Sequence, residues 1–187
     1  PLMPYQNFSR MDREDIYSII AYIRTLKPLP GRPPRTSLDF PMNIIVYTIP
    51  RKAVLPNKPD SLDAIAYGKY MITASNCGDC HSPMAKGKFI EGQEFSGGNP
   101  FRLADGTIIH SANITFDKET GIGAWSKALF IGRFRSALDS GYAHPVKDHD
   151  HQTIMPWTAY AHLDEQDLGA IYDYLRTVKP VRKKAVK

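Results

Sequence analysis

The sequence predicts a mostly α-helical fold, and three observations support this prediction. Four segments, at about 12–26, 61–77, 124–138 and 164–179, have the apolar periodicity of amphipathic helices. The segment from Pro83 to Gly123 contains many glycines and has poor periodicity, which predicts loops with at most short strands. The first and last helical segments also resemble each other in sequence, which indicates a repeated structural unit.

The composition is that of a globular protein. The chain has 187 residues, of which 42% are hydrophobic and 23% charged, and this suits one domain or one and a half small ones. No apolar run approaches eighteen residues, so no transmembrane helix is expected. Without an initiator methionine or a signal-like segment, the chain is expected to be a mature or truncated form.

The net charge of +5 comes largely from the C-terminal tail. We expect this tail to be solvated, and a docking patch for an acidic partner is the alternative. Elsewhere lysines and arginines are interleaved with acidic residues, so we do not expect nucleic-acid binding. The basic residues of the tail are Arg182, Lys183, Lys184 and Lys187.

The N-terminal part is predicted to be a helix followed by a linker. The helix from about Asp12 to Leu26 needs a partner for its apolar stripe, either the intact domain or a second copy in a dimer. Eight of the fifteen prolines lie between Pro28 and Pro59, and this composition favours a stiff, extended linker. The stripe consists of Ile16, Ile19, Ile20 and Ile23.

Two helices are predicted in the middle of the chain. The first, in "SLDAIAYGKYMITASNC", is capped by Ser61 or Asp60 and leads to Cys77. Its predicted inner face consists of Ala64, Tyr67, Gly68, Met71 and Ile72. The second, in "AWSKALFIGRFRSAL", is predicted to place four apolar residues on one side, namely Trp125, Leu129, Phe130 and Phe134.

The last predicted helix begins after Leu163, with Asp164 as its cap, and Pro180 closes it. The segment from Met3 to Pro28 aligns without a gap onto the segment from Met155 to Pro180, with ten of twenty-six positions identical. The chain is therefore predicted to begin with the end of one unit and to contain a second unit whole. The apolar face of the last helix is predicted to consist of Leu168, Ile171, Tyr172 and Leu175.

Both cysteines of the chain lie in "NCGDCH", residues 76 to 81. A Cys-x-x-Cys pair followed directly by histidine is the attachment motif of c-type haem. It predicts that Cys77 and Cys80 form thioether bonds to haem and that His81 is the proximal iron ligand. The second ring nitrogen of His81 needs an acceptor, for which we expect the carbonyl of Pro83.

Other uses of two cysteines explain the motif less well. A zinc site would require two further ligands, which only histidines from irregular loops could supply. A redox Cys-x-x-Cys pair normally opens a helix after a strand, whereas here an amphipathic helix precedes it. Neither of these sites, nor a disulfide, accounts for His81.

Met155 is the predicted distal ligand, because it follows a loop, precedes a helix and is followed by Pro156. The repeat preserves the same Met-Pro pair at Met3 and Pro4. Bis-histidine ligation is the alternative, since three histidines lie just upstream in a polar loop that otherwise suits solvent or a surface metal. These histidines are His144, His149 and His151.

Three stretches resemble the bacterial class I cytochromes c with two or three haem domains, especially the cytochrome subunits of membrane-bound alcohol and gluconate dehydrogenases. They are "CGDCHSP", "GNPFRLADGTIIHSANITFDKETGIGAWSKALF" and "MPWTAYAHLDEQDLGAIYDYLRTVKPV". The resemblance implies a class I cytochrome c fold in which the helix before Cys77 crosses the helix after Asp164. It also implies export, because haem is attached in this family outside the cytoplasmic membrane. It places residues 111–115 and Trp125 near the haem, and Trp157 and Tyr160 beside the methionine loop.

We therefore expect residues 1–28 to be the end of a preceding cytochrome domain, 29–59 a linker and 60–187 a domain with one haem c. Six-coordinate iron has no open position for substrate, so the expected function is electron transfer in the bacterial periplasm or at the outer face of the membrane. The expected partners are a dehydrogenase subunit, a terminal oxidase or another cytochrome, and any membrane association would come from upstream sequence. The alternatives are a peroxidase-like or nitrite-reducing enzyme and a haem sensor, in which Met155 is displaced.

Overall fold

A computed structural model describes residues 4–32, 34–49, 52–85, 87–139 and 153–183. The chain divides into two compact units, Pro1–Lys58 and Pro59–Lys187, which we call the first and second units. Within the described ranges, no helix has both the length and the apolar character needed to cross a bilayer. Met3 and the histidines at 144, 149 and 151 lie outside the described residues.

The first unit contains the predicted N-terminal helix. Asp12 caps this helix, because its carboxylate accepts a hydrogen bond from the backbone N–H of Glu14 at 2.7 Å. The proline-rich segment returns to this region, where the N–H groups of Val54 and Leu55 both donate to the carbonyl of Ser9 at 3.0 Å. The helices are α1 (Tyr5–Phe8), α2 (Arg13–Thr25) and α3 (Met42–Ile45), and a 3₁₀ turn at Val46–Thr48 follows α3.

The second unit contains five helices and two short hairpins among its described residues. The hairpins confirm the prediction of loops with short strands between Pro83 and Gly123. The helices are α4 (Ala64–Ala74), α5 (Cys77–His81), α6 (Lys127–Arg135), α7 (Trp157–Tyr160) and α8 (Glu165–Thr177). The strands are β1 (Met84–Ala85) with β2 (Lys88–Phe89), and β3 (Pro100–Arg102) with β4 (Ile108–His110), both pairs antiparallel.

The core of the second unit forms where α4 and α8 pack together and α6 joins them. Gly68 permits the close approach, because a Cβ at this position would lie 2.0 Å from the carbonyl oxygen of Ala170. The predicted crossing of the helix before Cys77 and the helix after Asp164 is thus confirmed. The predicted apolar face of α8 is also confirmed, since all four residues are buried, namely Leu168, Ile171, Tyr172 and Leu175.

The structure corrects three local predictions. Asp63 caps α4, since its carboxylate accepts from the N–H of Ala66 at 3.0 Å, and the helix begins later than a cap at Asp60 or Ser61 would require. Leu129 does not face the core with Phe130, because Phe130 is buried whereas Leu129 is 54% exposed. On α4, the core residues are Gly68, Tyr70 and Ile72, and Tyr70 was not expected among them.

The mostly α-helical class is confirmed, and its core helix α4 leads directly to the cysteine motif. Helix α4 ends at Ala74, and Asn76 then adopts a left-handed conformation with φ of 55°. Asparagine tolerates this region better than most residues, so the chain turns sharply and starts α5 at Cys77. The core helix thereby fixes where the cysteine motif begins.

Candidate haem site

Helix α5 carries the whole Cys-x-x-Cys-His motif. The two cysteines are three residues apart, so they lie on one face of the helix and can reach two points on the same edge of a flat group. Cys77 packs against the core and Cys80 is exposed, and neither forms a disulfide. This arrangement suits two parallel covalent anchors.

His81 is oriented by a loop from elsewhere in the chain. Its Nδ1 lies 2.7 Å from the carbonyl oxygen of Ala112, which makes Nδ1–H the donor and leaves Nε2 available to a metal. The prediction that the Pro83 carbonyl is this acceptor was wrong. That carbonyl accepts instead from the N–H of Ile90, directly after β2. Burial lowers the pKa of His81, and the hydrogen bond to Ala112 offsets part of that shift. The lowered pKa favours the neutral imidazole, which is the form that binds a metal ion.

The C-terminal carbonyls of α5 are satisfied by the loop before β3. The side-chain amide of Asn99 donates to the carbonyls of Cys80 and Ser82, both at 2.9 Å, and the N–H of Gly97 donates to the carbonyl of His81 at 2.7 Å. Helix termini leave such carbonyls without intrahelical partners, so these bonds stabilise the end of the motif. Backbone and amide groups thus clamp His81 from both sides.

The thiol electrostatics differ from those of a redox pair. Burial raises the pKa of Cys77 to about 12. Partial desolvation of the sulfur, followed by the nearby Asp79 carboxylate, raises the pKa of Cys80, although the residue as a whole is exposed. A reactive Cys-x-x-Cys pair requires the opposite shift, since the thiolate is the nucleophile. The motif therefore lacks the environment of a disulfide oxidoreductase, in agreement with the sequence argument.

Met155 lies at the start of a short, well-connected turn. Its N–H donates to the hydroxyl of Thr153 at 3.1 Å, and its carbonyl accepts from the N–H of Trp157 at 2.8 Å. Pro156 then occupies the N-cap position of α7, where a missing N–H costs nothing. Met155 itself is half-buried.

Two aromatic residues attach the Met155 turn to the rest of the second unit. The ring of Trp157 lies 5.2 Å from that of Phe134 on α6, and the guanidinium of Arg133 stacks 4.7 Å from the Trp157 ring centroid. The hydroxyl of Tyr160 donates to the carbonyl of Ser75 at 2.6 Å, two residues before Cys77. The pKa of Tyr160 is raised to about 12. Burial is the largest cause, and charge repulsion from the nearby Cys77 and Cys80 sulfurs is the smaller one. The methionine turn is therefore tied directly to the entrance of the cysteine motif.

The donor set fits a covalently bound haem better than a free metal ion. A histidine with Nδ1 engaged and Nε2 open, directly after two cysteines on one helix, matches the chemistry of a c-type centre. In the part of the chain that the structure describes, no group of three or more His, Cys, Asp or Glu side chains gathers as a zinc site would require.

Sequence reasoning located some of the surroundings and missed others. Ala112, which accepts from His81, falls within the expected segment 111–115. The Trp125 carbonyl accepts from Tyr172 at 2.7 Å, and the Trp125 side chain packs against the core. The clamp formed by Gly97 and Asn99 was not predicted, and the only signal for it was the glycine pair in "SGGNP".

The chain matches no protein-family model. It is 30% identical over 194 residues to the fructose dehydrogenase cytochrome subunit of Gluconobacter japonicus, and the match covers 95% of this chain and 37% of the relative. It is 30% identical over 200 residues to the cytochrome c subunit of the quinone-type alcohol dehydrogenase of Gluconacetobacter polyoxogenes, covering 97% of this chain and 40% of the relative.

A higher identity is found over a shorter range. The chain is 40% identical over 116 residues to the gluconate 2-dehydrogenase cytochrome c subunit of Pantoea cypripedii, covering 61% of this chain and 23% of the relative. The chain spans about two fifths or less of the length of these relatives. Over most of its length, this chain is homologous to cytochrome c subunits of bacterial dehydrogenases.

Proposed function

We propose that this chain transfers single electrons through one c-type haem, bound by Cys77 and Cys80 and ligated by His81 and Met155. The observation that carries the proposal is the hydrogen bond from His81 Nδ1 to the Ala112 carbonyl at the end of the Cys-x-x-Cys-His helix. When bound, haem would supply one-electron iron chemistry. The chain has only these two cysteines, which supports one haem per chain.

The protein's part in this chemistry is to hold the ligands still. The Ala112 carbonyl fixes the tautomer and ring orientation of His81 and makes Nε2 a stronger donor. The Gly97 and Asn99 bonds to the motif carbonyls limit movement of α5. Little reorganisation on gain or loss of an electron suits a carrier.

Two protein ligands leave no coordination position for a substrate, which favours a carrier over a haem enzyme or sensor. The turn around Met155 supports this proposal, because contacts to Ser75 and Phe134 oppose displacement of the methionine. The relatives are likewise cytochrome subunits. Neither the peroxidase-like nor the nitrite-reducing alternative is favoured.

Carbon monoxide tests the ligation state of the reduced, unmutated protein. We expect an optical spectrum of low-spin haem that does not change when carbon monoxide is added, because both axial positions are taken by side chains. A rapid spectral change to a carbon monoxide complex would contradict the carrier function and support an open iron.

We propose further that the chain works with a dehydrogenase subunit at the periplasmic face of a bacterial membrane, passing electrons to a downstream acceptor. The relatives' names support the partner, and haem attachment outside the cytoplasm supports the location. Co-purification of the chain with a dehydrogenase activity that reduces its haem would support this assignment. Reduction only by small-molecule reductants, with no such dehydrogenase in the source bacterium, would contradict it.

We propose that the first unit contains the C-terminal end of a preceding cytochrome unit, because α1 and α2 repeat α7 and α8. The N-caps Asp12 and Asp164 are both extended, with φ and ψ of −60° and 147° against −64° and 156°. The N-caps Pro4 and Pro156 agree as closely, with −78° and 54° against −78° and 63°. The helix pairs have the same lengths, 4 and 13 residues.

The exposed apolar stripe of α2 supports the proposed preceding cytochrome unit, which would cover it. Ile19 is 41% exposed, whereas Ile171, the identical residue at the equivalent position of α8, is 4% exposed. In a polypeptide that includes upstream sequence, we expect two or more haems per chain and loss of one low-spin signal on Met3→Ala. A single haem in that longer polypeptide would contradict the proposed preceding cytochrome unit. It would leave the assignment of Cys77, Cys80 and His81 untouched.

A further inference from the structure

The side chain of Lys183 runs from the segment after α8 to the loop that clamps His81. Its Nζ donates to the carbonyl of Gly97 at 2.7 Å. The side chain also lies directly on Gly98, where a Cβ would be 2.8 Å from Nζ and 2.9 Å from Cε. Two consecutive glycines with positive φ therefore form the seat of this ammonium group.

Gly97 contacts the proximal histidine region in two ways. Its N–H donates to the carbonyl of His81, and a Cβ at Gly97 would lie 2.4 Å from the Ala112 carbonyl carbon and oxygen. That same oxygen accepts from His81 Nδ1. Gly97 thus lies between the Lys183 ammonium and the two backbone carbonyls of the site, that of His81 and that of Ala112.

The backbone before Lys183 is held firmly enough to keep the ammonium in place. The N–H of Lys183 donates to the hydroxyl of Thr120 at 3.0 Å, and the N–H of Val181 donates to the hydroxyl of Thr115 at 3.1 Å. The side-chain amide of Asn113 donates to the Val181 carbonyl at 2.7 Å. Asn113 follows Ala112 directly, so this segment is fastened to the loop that bears the acceptor of His81.

Lys183 forms no ion pair with any acidic residue that the structure describes. Among the residues that the structure describes, the ion pairs are Lys58 with Asp15, Lys127 with Asp173 and Arg182 with Glu119, and none includes Lys183. Its neighbour Arg182 is paired at an exposed position. Within the described ranges, the contact that the Lys183 ammonium makes is thus to a neutral carbonyl, that of Gly97 on the His81 side of the site.

We propose that Lys183 is a positioning residue whose ammonium group, held on the Gly97 carbonyl, raises the reduction potential of the haem. This proposal rests on the proposed ligation by His81. Reduction adds one electron from a protein redox partner to the iron and lowers the net charge of the centre by one. A fixed positive charge nearby favours the more negative, reduced state. Neutralising Lys183 should therefore make reduction less favourable.

The test compares midpoint potentials by spectroelectrochemical titration at low ionic strength. Lys183→Met and Lys183→Gln both remove the charge, and the glutamine amide keeps an N–H donor on the side chain. Both should lower the equilibrium constant for reduction by about threefold to tenfold, where a tenfold change corresponds to 59 mV for one electron. Lys183→Arg should stay close to the unmutated value. Lys179→Met, an exposed lysine on the same segment, is the control and should change it by less than about twofold.

Two results would overturn the proposal. Unchanged potentials in both neutral variants would show that the charge has no effect. A rise would show that the residue acts as a strap, because loosening the His81–Ala112 hydrogen bond makes the imidazole a weaker donor and favours the reduced state. The spectrum of the unmutated protein separates this proposal from the proposed function, since haem that is not low-spin would contradict the ligation before any variant is compared.

Discussion

At the residue scale, the site depends on a histidine whose orientation comes from a distant backbone carbonyl. His81 and Ala112 are 31 positions apart, and the acceptor is a main-chain oxygen. Any residue type offers such an oxygen, so the partner leaves no signature in the sequence. The position of His81 directly behind Cys80 supports its proposed role as a ligand, whereas its hydrogen-bond acceptor could not be predicted from the sequence.

Met155→Ala should leave haem attached and convert the iron to a high-spin form. The thioether bonds to Cys77 and Cys80 do not depend on the distal ligand, and alanine has no atom that can bind iron. Optical and electron paramagnetic resonance spectra of the purified variant measure the spin state.

The matched control is Met84→Ala, at a half-exposed methionine in the same unit. Its spectrum should remain that of the unmutated protein. A Met155→Ala variant that stays low-spin, or a Met84→Ala variant that becomes high-spin, would show that Met155 is not the ligand.

Tyr160→Phe should destabilise the second unit by about 1 kcal/mol, because it removes the hydrogen bond to the Ser75 carbonyl. Burial raises the pKa of Tyr160 above that of an unfolded tyrosine. The folded state therefore keeps the proton to higher pH than the unfolded state does. The contribution of Tyr160 is present in full below the unfolded pKa of about 10 and is lost as the pH rises through the folded value.

Urea unfolding of the unmutated protein and the variant, near pH 8 and near pH 11, measures this effect. The difference in unfolding free energy should be smaller at the higher pH. Tyr17→Phe, at an exposed tyrosine of the first unit, should show no difference at either pH. A Tyr160 effect that is constant across this range would indicate that its hydroxyl contributes nothing that depends on the proton.

At the element scale, the predictions were most accurate where periodicity and burial coincide. All four expected core positions of α8 are buried, because the helix is amphipathic and packs against α4 and α6. The prediction was poorer for α6, where Leu129 is exposed. Periodicity gives the angle between side chains on a helix and does not say which face its neighbours cover. The cap of α4 moved to Asp63 because several residues in "PDSLD" can serve as caps.

The repeat offers a pair of identical residues in different environments. Ile171→Ala should lower the unfolding free energy of the second unit by about 2 to 5 kcal/mol, because it leaves a cavity in the core. Ile19→Ala, at the equivalent exposed position of α2, should change it by less than about 0.5 kcal/mol. Guanidinium unfolding followed by tryptophan fluorescence isolates this unit, because both tryptophans lie in it.

Equal losses in the two isoleucine variants would contradict the burial difference between α2 and α8. Such a result would mean that Ile19 is covered to the same extent as Ile171, by the second unit or by another copy of the chain. A dependence of the Ile19→Ala effect on protein concentration would distinguish the second copy.

At the scale of the whole molecule, the chain contains one cysteine motif and two copies of the methionine-proline helix pair. The internal repeat was visible in the sequence, because ten of its twenty-six aligned residues are identical. The contacts of the proline-rich segment with Ser9 and Asp12 were not, because they use backbone groups of a stretch without periodicity. The same holds for the seat of Lys183 on Gly97 and Gly98, which joins residues 86 positions apart.

The most direct test of the central claim is the intact mass of the protein after denaturation in acid, using protein from a host that matures c-type cytochromes. The account predicts that the polypeptide carries the added mass of one haem. Cys77→Ser and Cys80→Ser should each lose or weaken this attachment, because each removes one of the two thioether bonds. A bare polypeptide mass with all haem released into acidified solvent, or an added mass of two haems, would contradict the assignment of Cys77, Cys80 and His81 as a single c-type centre.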